Sequence, residues 1–172
     1  NFKFAYFSDY KNIGLAKSSN YLLSKIKTDY CLFTQSDVVI KKKEILRLKK
    51  IFDLNKNIIF VTPNFSKNKK KKRIEFTKKI NAACIMIDMK KVKKVGLFDE
   101  DYFLYWEDIQ LMEKINNSKF KMVVANNIFA NHLVSKSTVK NRKIDFIRNM
   151  NFIYGELVFD YKQKKLRFIK IF

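Results

Sequence analysis

The chain has 172 residues, room for one domain and too little for two comfortable ones. At 47% hydrophobic content it can bury a core, which argues against disorder. It holds no run of about 18 uncharged apolar residues, which removes a membrane-spanning helix from the expected elements.

In chain order, Phe2 to Phe7 reads as a buried strand entered midway, so the chain is expected to be a fragment of something longer. Asp9 to Gly14 reads as a turn. Leu15, Leu22, Leu23 and Ile26 recur at helical spacing and predict a helix to about Lys27. Tyr30 to Thr34 is a short apolar run and predicts a strand, with Gln35-Ser36-Asp37 at its carboxyl end. Glu44, Ile45, Leu48, Ile51 and Phe52 predict a second amphipathic helix. Asn57 to Thr62 predicts a strand that stops at Pro63, which cannot donate to a ladder. The lysine run from Lys67 to Arg73 reads as an exposed loop. Ala82 to Asp88 predicts another strand, and Lys90 to Val95 a short helix closed by Gly96. Glu107-Asp108 open a helix with Leu111, Met112 and Ile115 inward. Phe120 to Ala125 and Ile128 to Ala130 predict two strands, the second leading into Asn131-His132. A last helix is expected from Asn141 to about Tyr161. Strands alternating with helices predict a layered α/β domain.

The charge, 37 Lys and Arg against 16 Asp and Glu for a net +21, invites a nucleic-acid reading. Only Arg47, Arg73, Arg142, Arg148 and Arg167 carry the planar fork that phosphate and base readers favour. Lys, Asn, Ile and Phe share A/T-rich codons, so the charge reads chiefly as a solvated lysine surface, and nucleic acid is not the expected partner. Cys31 and Cys84 lie in apolar runs without metal-ligand spacing, which fits a reduced, cytoplasmic chain.

Against this background the scarce residues stand out: Gly14, Gly96, Gly155, Pro63, Trp106 and His132. Five of the 16 acids, Asp99, Glu100, Asp101, Glu107 and Asp108, crowd around four aromatics. Glu107 and Asp108 oppose a helix dipole at a first turn, which contributes about 0.3–1 kcal/mol each. That role leaves the aromatics unexplained, whereas an acid walled by rings is placed to take a proton from a stacked sugar hydroxyl. Asp37, at the carboxyl end of a strand, reads either as a turn residue or as an oxygen ligand to Mg²⁺ or Mn²⁺.

Gly96-Leu97-Phe98-Asp99-Glu100 followed by Phe103-Leu104-Tyr105-Trp106-Glu107-Asp108 resembles the G-x-F-D-E…F-x-Y-x-E-D segment of family 2 glycosyltransferases, especially the rhamnosyltransferase-like branch. Asn12-Ile13-Gly14-Leu15 with Asn20 is similar to that family's N-x-G…N entry to its nucleotide-side helix. Gln35-Ser36-Asp37-Val38 stands where the branch has Asn-Pro-Asp-Val. Asn81 to Met86 resembles its G-A-x-M strand, His132 the histidine after its last strand, and Arg148-Asn149 a pair in its closing helix. Gln35, Asn81 and Gln110 depart from the pattern.

The resemblance implies a GT-A fold, a layered α/β/α sandwich with a mixed, mostly parallel sheet, lacking the first nucleotide-binding strand and helix. It implies a partial transferase domain over residues 1–138 and a basic amphipathic segment over residues 139–172. The implied reaction is inverting transfer of a sugar from a nucleoside-diphosphate donor to a hydroxyl of a glycan or lipid-linked acceptor, in cell-surface polysaccharide or glycolipid synthesis. Asp108 would be the base with Glu107 beside it. Asn12, Gly14, Asn20, Ser36 and Asp37 would serve the nucleotide-sugar, Tyr105 and Trp106 the acceptor, and Asp37 with His132 a divalent cation (Mg²⁺ or Mn²⁺). The alternatives are a basic nucleic-acid-binding module, or a peripheral membrane module whose tail, Lys162 to Phe172, meets an anionic membrane surface. The expected location is the cytoplasm, with possible attachment to the inner face of the cytoplasmic membrane.

Overall fold

A computed structural model describes residues 11–66, 72–133 and 141–164. The element order is α1 (Leu15–Lys25), β1 (Tyr30–Thr34), β2 (Val38–Ile40), α2 (Lys42–Lys50) with a 3₁₀ turn (Ile51–Leu54), β3 (Ile58–Asn64), β4 (Ile74–Thr77), β5 (Cys84–Asp88), α3 (Met89–Val95), α4 (Glu107–Asn116), β6 (Lys121–His132) and α5 (Arg142–Lys162). The strands form one six-stranded sheet in the order β1-β5-β3-β6-β2, with β4 also paired to β6.

The sheet is mixed, and among the described strands it is not mostly parallel. Only β3–β6 is parallel, while β1–β5, β3–β5, β4–β6 and β2–β6 are antiparallel. Periodicity cannot report strand direction, because a side-chain alternation of two is the same either way. Helices cover both faces, as a layered α/β chain requires. One apolar cluster joins Ala16 and Leu23 of α1, Val92 of α3, and Leu111, Met112 and Ile115 of α4 to Ile59, Phe60, Ile85, Ile87 and Met122. The other joins Leu48 of α2 and Ile51 and Phe52 of the 3₁₀ turn to Ile58, Val61, Met86, Val123 and Ala125. Ile85 and Ile87 face one cluster and Met86 the other, the alternation of a pleated strand.

The structure also revises several local expectations. β3 does not stop at Pro63 but runs to Asn64, with a register shift between those two residues. Proline is tolerated there because a bulge removes the need for its missing N–H. The two strands expected around Asn126-Asn127 are one, β6, and the Asn pair falls in the span skipped between Ala125, paired with Pro63, and Phe129, paired with Asn64. Asn126 is buried there, donating to the Lys72 carbonyl at 3.0 Å and Glu75 Oε2 at 3.2 Å, while its backbone N–H donates to the Arg73 carbonyl at 2.8 Å. Two short strands, β2 and β4, escaped the sequence reading; both pair with β6. The expected strand at residues 2–7, residues 67–71 of the lysine loop and the tail beyond residue 164 lie outside the described residues. No helix of the described residues is long and apolar enough to cross a membrane.

Candidate functional site

The site starts from two chain reversals that end on the same cavity. After β1, the Gln35 N–H donates to the Ala83 carbonyl at 2.9 Å and the Val38 N–H to the Gln35 carbonyl at 3.3 Å, which closes a turn holding Asp37. The Leu133 N–H donates to the Asp37 carbonyl at 2.9 Å, and Val38 pairs with His132 across β2–β6. That register brings two residues far apart in sequence together: His132 Nε2 lies 3.3 Å from Asp37 Oδ1, with both side chains largely buried. The His132 ring also meets Phe65, centroid to centroid at 5.8 Å.

The second reversal precedes α4. Tyr105 (φ 67°) and Trp106 (φ 71°) both adopt the left-handed conformation that side chains with a Cβ avoid. Such residues cost about 1–3 kcal/mol each and persist only where packing over-determines them. Here α5 supplies the packing. The Trp106 indole lies 5.6 Å from the Phe152 ring and 5.2 Å from Phe159. It also lies against Gly155, where a Cβ would fall 2.6 Å from Trp106 Cδ1. The backbone then enters α4, with the Gln110 N–H donating to the Trp106 carbonyl at 2.8 Å. The reversal aims Glu107 and Asp108 at the cavity containing Asp37 and His132.

This cavity, of about 360 Å³, is lined by Gln35, Asp37, Tyr105, Glu107, Asp108, His132 and Arg148 over an apolar floor that includes Leu15, Phe33 and Phe98. Glu107 is buried, and its Oε2 has no hydrogen-bond partner among the described residues. Burial first, and the neighbouring Asp108 charge second, push its carboxyl up to about 7. Burial also raises the Asp108 carboxyl, partly countered by the Ile109 N–H, which donates to Oδ1 at 2.8 Å. The helix dipole favours both carboxylates, so desolvation is the larger effect here.

Of the residues singled out in the sequence, Asp37, Tyr105, Glu107, Asp108 and His132 meet in the cavity wall. Trp106 does not; it packs beneath α5. Ser36 is exposed on the turn beside Asp37. Gly14, in a turn that Asn12 closes, and Asn20 meet the acid-rich segment from outside the cavity wall. Asn12 Oδ1 accepts from the Gly14 N–H at 3.1 Å, and the Leu15 N–H donates to the Phe103 carbonyl at 2.7 Å. Gly14 (φ +88°) leaves no room for a side chain, since a Cβ would lie 2.7 Å from the Phe103 carbonyl oxygen. Asn20 accepts from the Phe98 N–H at 3.0 Å and donates to the Phe98 carbonyl and to Glu100 Oε1, both at 2.9 Å. Lys162 donates to Asp99 and Asp101, both at 2.6 Å. Asp99, Glu100 and Asp101 are therefore fasteners, and only two of the five clustered acids face the cavity.

Arg148 in the wall was visible in the sequence only as part of a pair, without a role. Its signal is the spacing of Asp145, Arg148, Asn149 and Phe152, which shares one face of a helix. A divalent cation would find an oxygen donor in Asp37 and a nitrogen donor in His132. Among the described residues no group of three or more His, Cys, Asp or Glu side chains could hold a metal ion. Two protein donors suit a cation whose shell is completed by substrate phosphates and water.

The wall thus combines a desolvated pair of carboxylates, a guanidinium and a carboxylate–imidazole pair around a small-molecule-sized space. Compared with protein-family models and with curated proteins, the chain matches none.

Proposed function

We propose that the chain is an inverting glycosyltransferase of the GT-A type, moving a sugar from a nucleoside diphosphate to an acceptor hydroxyl in cell-surface glycan or glycolipid synthesis. The observation that carries this reading is the convergence of Asp37, Glu107, Asp108 and His132, distant in sequence, on one cavity. In the proposed reaction the acceptor oxygen attacks the anomeric carbon as its proton passes to Asp108. The bond from that carbon to the diphosphate oxygen breaks in line, and the nucleoside diphosphate leaves with the electron pair.

A base works best with a pKa near the working pH, and burial moves Asp108 in that direction. Glu107, pushed up to about 7, holds a proton for part of the neutral range and can donate it in a hydrogen bond to the acceptor. Arg148 faces the charge that develops on the diphosphate, which a planar guanidinium matches with two parallel hydrogen bonds. Asp37 and His132 would hold Mg²⁺ or Mn²⁺, which supplies charge neutralisation on the diphosphate when bound. Such a reaction belongs in the cytoplasm, where nucleotide-sugars are made.

The test is turnover of a panel of nucleoside-diphosphate sugars, with and without Mn²⁺, by wild type and Asp108→Asn. Loss of release of the nucleoside diphosphate in the variant supports the reading. Equal turnover by both proteins, or binding of no nucleotide-sugar, overturns it.

One observation favours a second, compatible reading, attachment to an anionic membrane surface. Phe146, Met150, Ile153, Tyr154 and Tyr161 of α5 are at least half exposed on a chain of net charge +21. Co-sedimentation with vesicles of neutral lipid, with and without phosphatidylglycerol, tests it; binding to neither rejects it.

A further inference from the structure

α5 presents three faces. Gly155 and Phe159 pack on Trp106, while Phe146, Met150 and Ile153 are exposed on another side. Between them run Asp145, Arg148, Asn149 and Phe152, at spacings of i, i+3, i+4 and i+7 that align on one stripe. With Tyr105 this stripe lines a second cavity of about 430 Å³. Small-molecule sites fall in the range of about 300–1,000 Å³. Tyr105 and Arg148 belong to both cavity walls, so the second cavity opens directly beside the first.

The groups in this second wall are those that recognise a sugar ring. The Phe152 ring, met edge-on by Tyr105 at 6.0 Å, offers an apolar face for the C–H side of a pyranose. The Asp145 carboxylate accepts from hydroxyls, the Asn149 amide both donates and accepts, and the Arg148 guanidinium donates. A purely apolar ligand would strand these polar groups, and a phosphate would meet the Asp145 carboxylate. The left-handed backbone at Tyr105 and Trp106 sets the tyrosine on the boundary between the two spaces, next to the carboxylates of α4. Strained backbone concentrates where a side chain must be held in one place.

We propose that this second cavity is the acceptor subsite: it binds a neutral pyranose and presents one of its hydroxyls past Tyr105 to Asp108. The inference rests on the transferase reading and deepens it.

The test is an amide-resolved NMR titration of the full chain with the methyl glycosides of rhamnose, glucose, galactose and N-acetylglucosamine. UDP, GDP and dTDP are titrated in parallel. The expected result is that at least one glycoside shifts the amides of Tyr105 and of residues 145–152. Asn149→Ala and Asp145→Asn should each raise its Kd at least fivefold, while Phe146→Ala, on the exposed face of the same helix, should bind as wild type. Phe152 also packs on Trp106, so the two exposed polar positions give the cleaner variants. Glycoside shifts confined to the first cavity, no shifts at all, or an unaltered Kd in Asn149→Ala would overturn the proposal. The nucleotides separate its failure from that of the reading beneath it. If a nucleoside diphosphate binds the first cavity and no glycoside perturbs the second, the subsite alone is wrong. If glycosides bind the second cavity and no nucleoside diphosphate binds, the acceptor role falls together with the transferase.

Discussion

At one end of the acid-rich segment Lys162 clamps Asp99 and Asp101, each at 2.6 Å; at the other, Glu107 and Asp108 are drawn into a cavity wall. Burial works to raise the Asp99 carboxyl, but the Lys162 hydrogen bond, the Asp101 N–H and nearby positive charge outweigh it and hold it below the usual range. At Glu107 burial prevails, and the carboxyl rises to about 7. The same carboxyl group, a few positions away, thus contributes to stability in opposite directions with pH. Asp99 stabilises the fold above its unfolded pKa, and that contribution is lost as pH falls through its lower folded value. Glu107 favours the fold only while protonated. Its contribution is complete below its unfolded pKa and is lost as pH rises through about 7. Crowding of acids does not by itself mark chemistry; the partner each one finds decides.

The sharpest way to break this contrast is by activity. Asp108→Asn should lower sugar-nucleotide turnover about 10²–10⁴-fold, the range for losing a general base, whereas Asp101→Asn should stay within about twofold. Steady-state release of the nucleoside diphosphate measures both. Glu107→Gln should stabilise the chain at pH 8 by up to about 3 kcal/mol, from a carboxyl moved from 4.5 to about 7, and by almost nothing below pH 4.5. Urea melts at the two pH values would show it, and an equal effect at both would remove desolvation as the cause. Gly14→Ala should cost about 1–3 kcal/mol in the same melts, because the left-handed backbone and the Phe103 carbonyl both oppose a Cβ. The smallest effect is expected from Lys162→Met, about 0.5–1 kcal/mol at pH 7, since Asp101 is well exposed and its pair is screened. That loss should fade as pH drops below about 4, opposite to the Glu107 trend.

Much of the local structure was legible because it rests on local rules. Gly96 ends α3 as expected, with φ 97° and its N–H on the Val92 carbonyl at 3.0 Å. The inward face of α4 is Leu111, Met112 and Ile115, as its spacing predicts. What stayed hidden depends on partners distant in sequence. β2 has three residues and β4 four, too few to show an alternation, and each exists only because β6 lies beside it. Asn126 looks like a turn residue until its amide N–H groups are seen to reach Lys72 and Glu75. Within the site, the meeting of Asp37 with His132 follows from the β2–β6 register, which no window of sequence contains. Trp106 was read as part of a ring wall because its spacing is the same whether the indole lines a cavity or lies under a helix. Gly155, the residue that makes room for it, stands out in the sequence only as a scarce glycine, and its role is not visible until α5 is placed.

The fastening of α5 is uneven along its length. Gly155, Phe159 and Lys162 tie down its C-terminal half through Trp106 and Asp99, whereas residues 142–147 are all exposed. The helix is a beam fixed at one end, and the second cavity sits along its freer half. Its amides should therefore open over a gradient, exchanging with solvent slowly near Phe159 and quickly near Asp145, without unfolding the sheet beneath. A ligand held by Asp145 and Asn149 would then flatten that gradient, so that binding stiffens the less firmly fastened half of the helix.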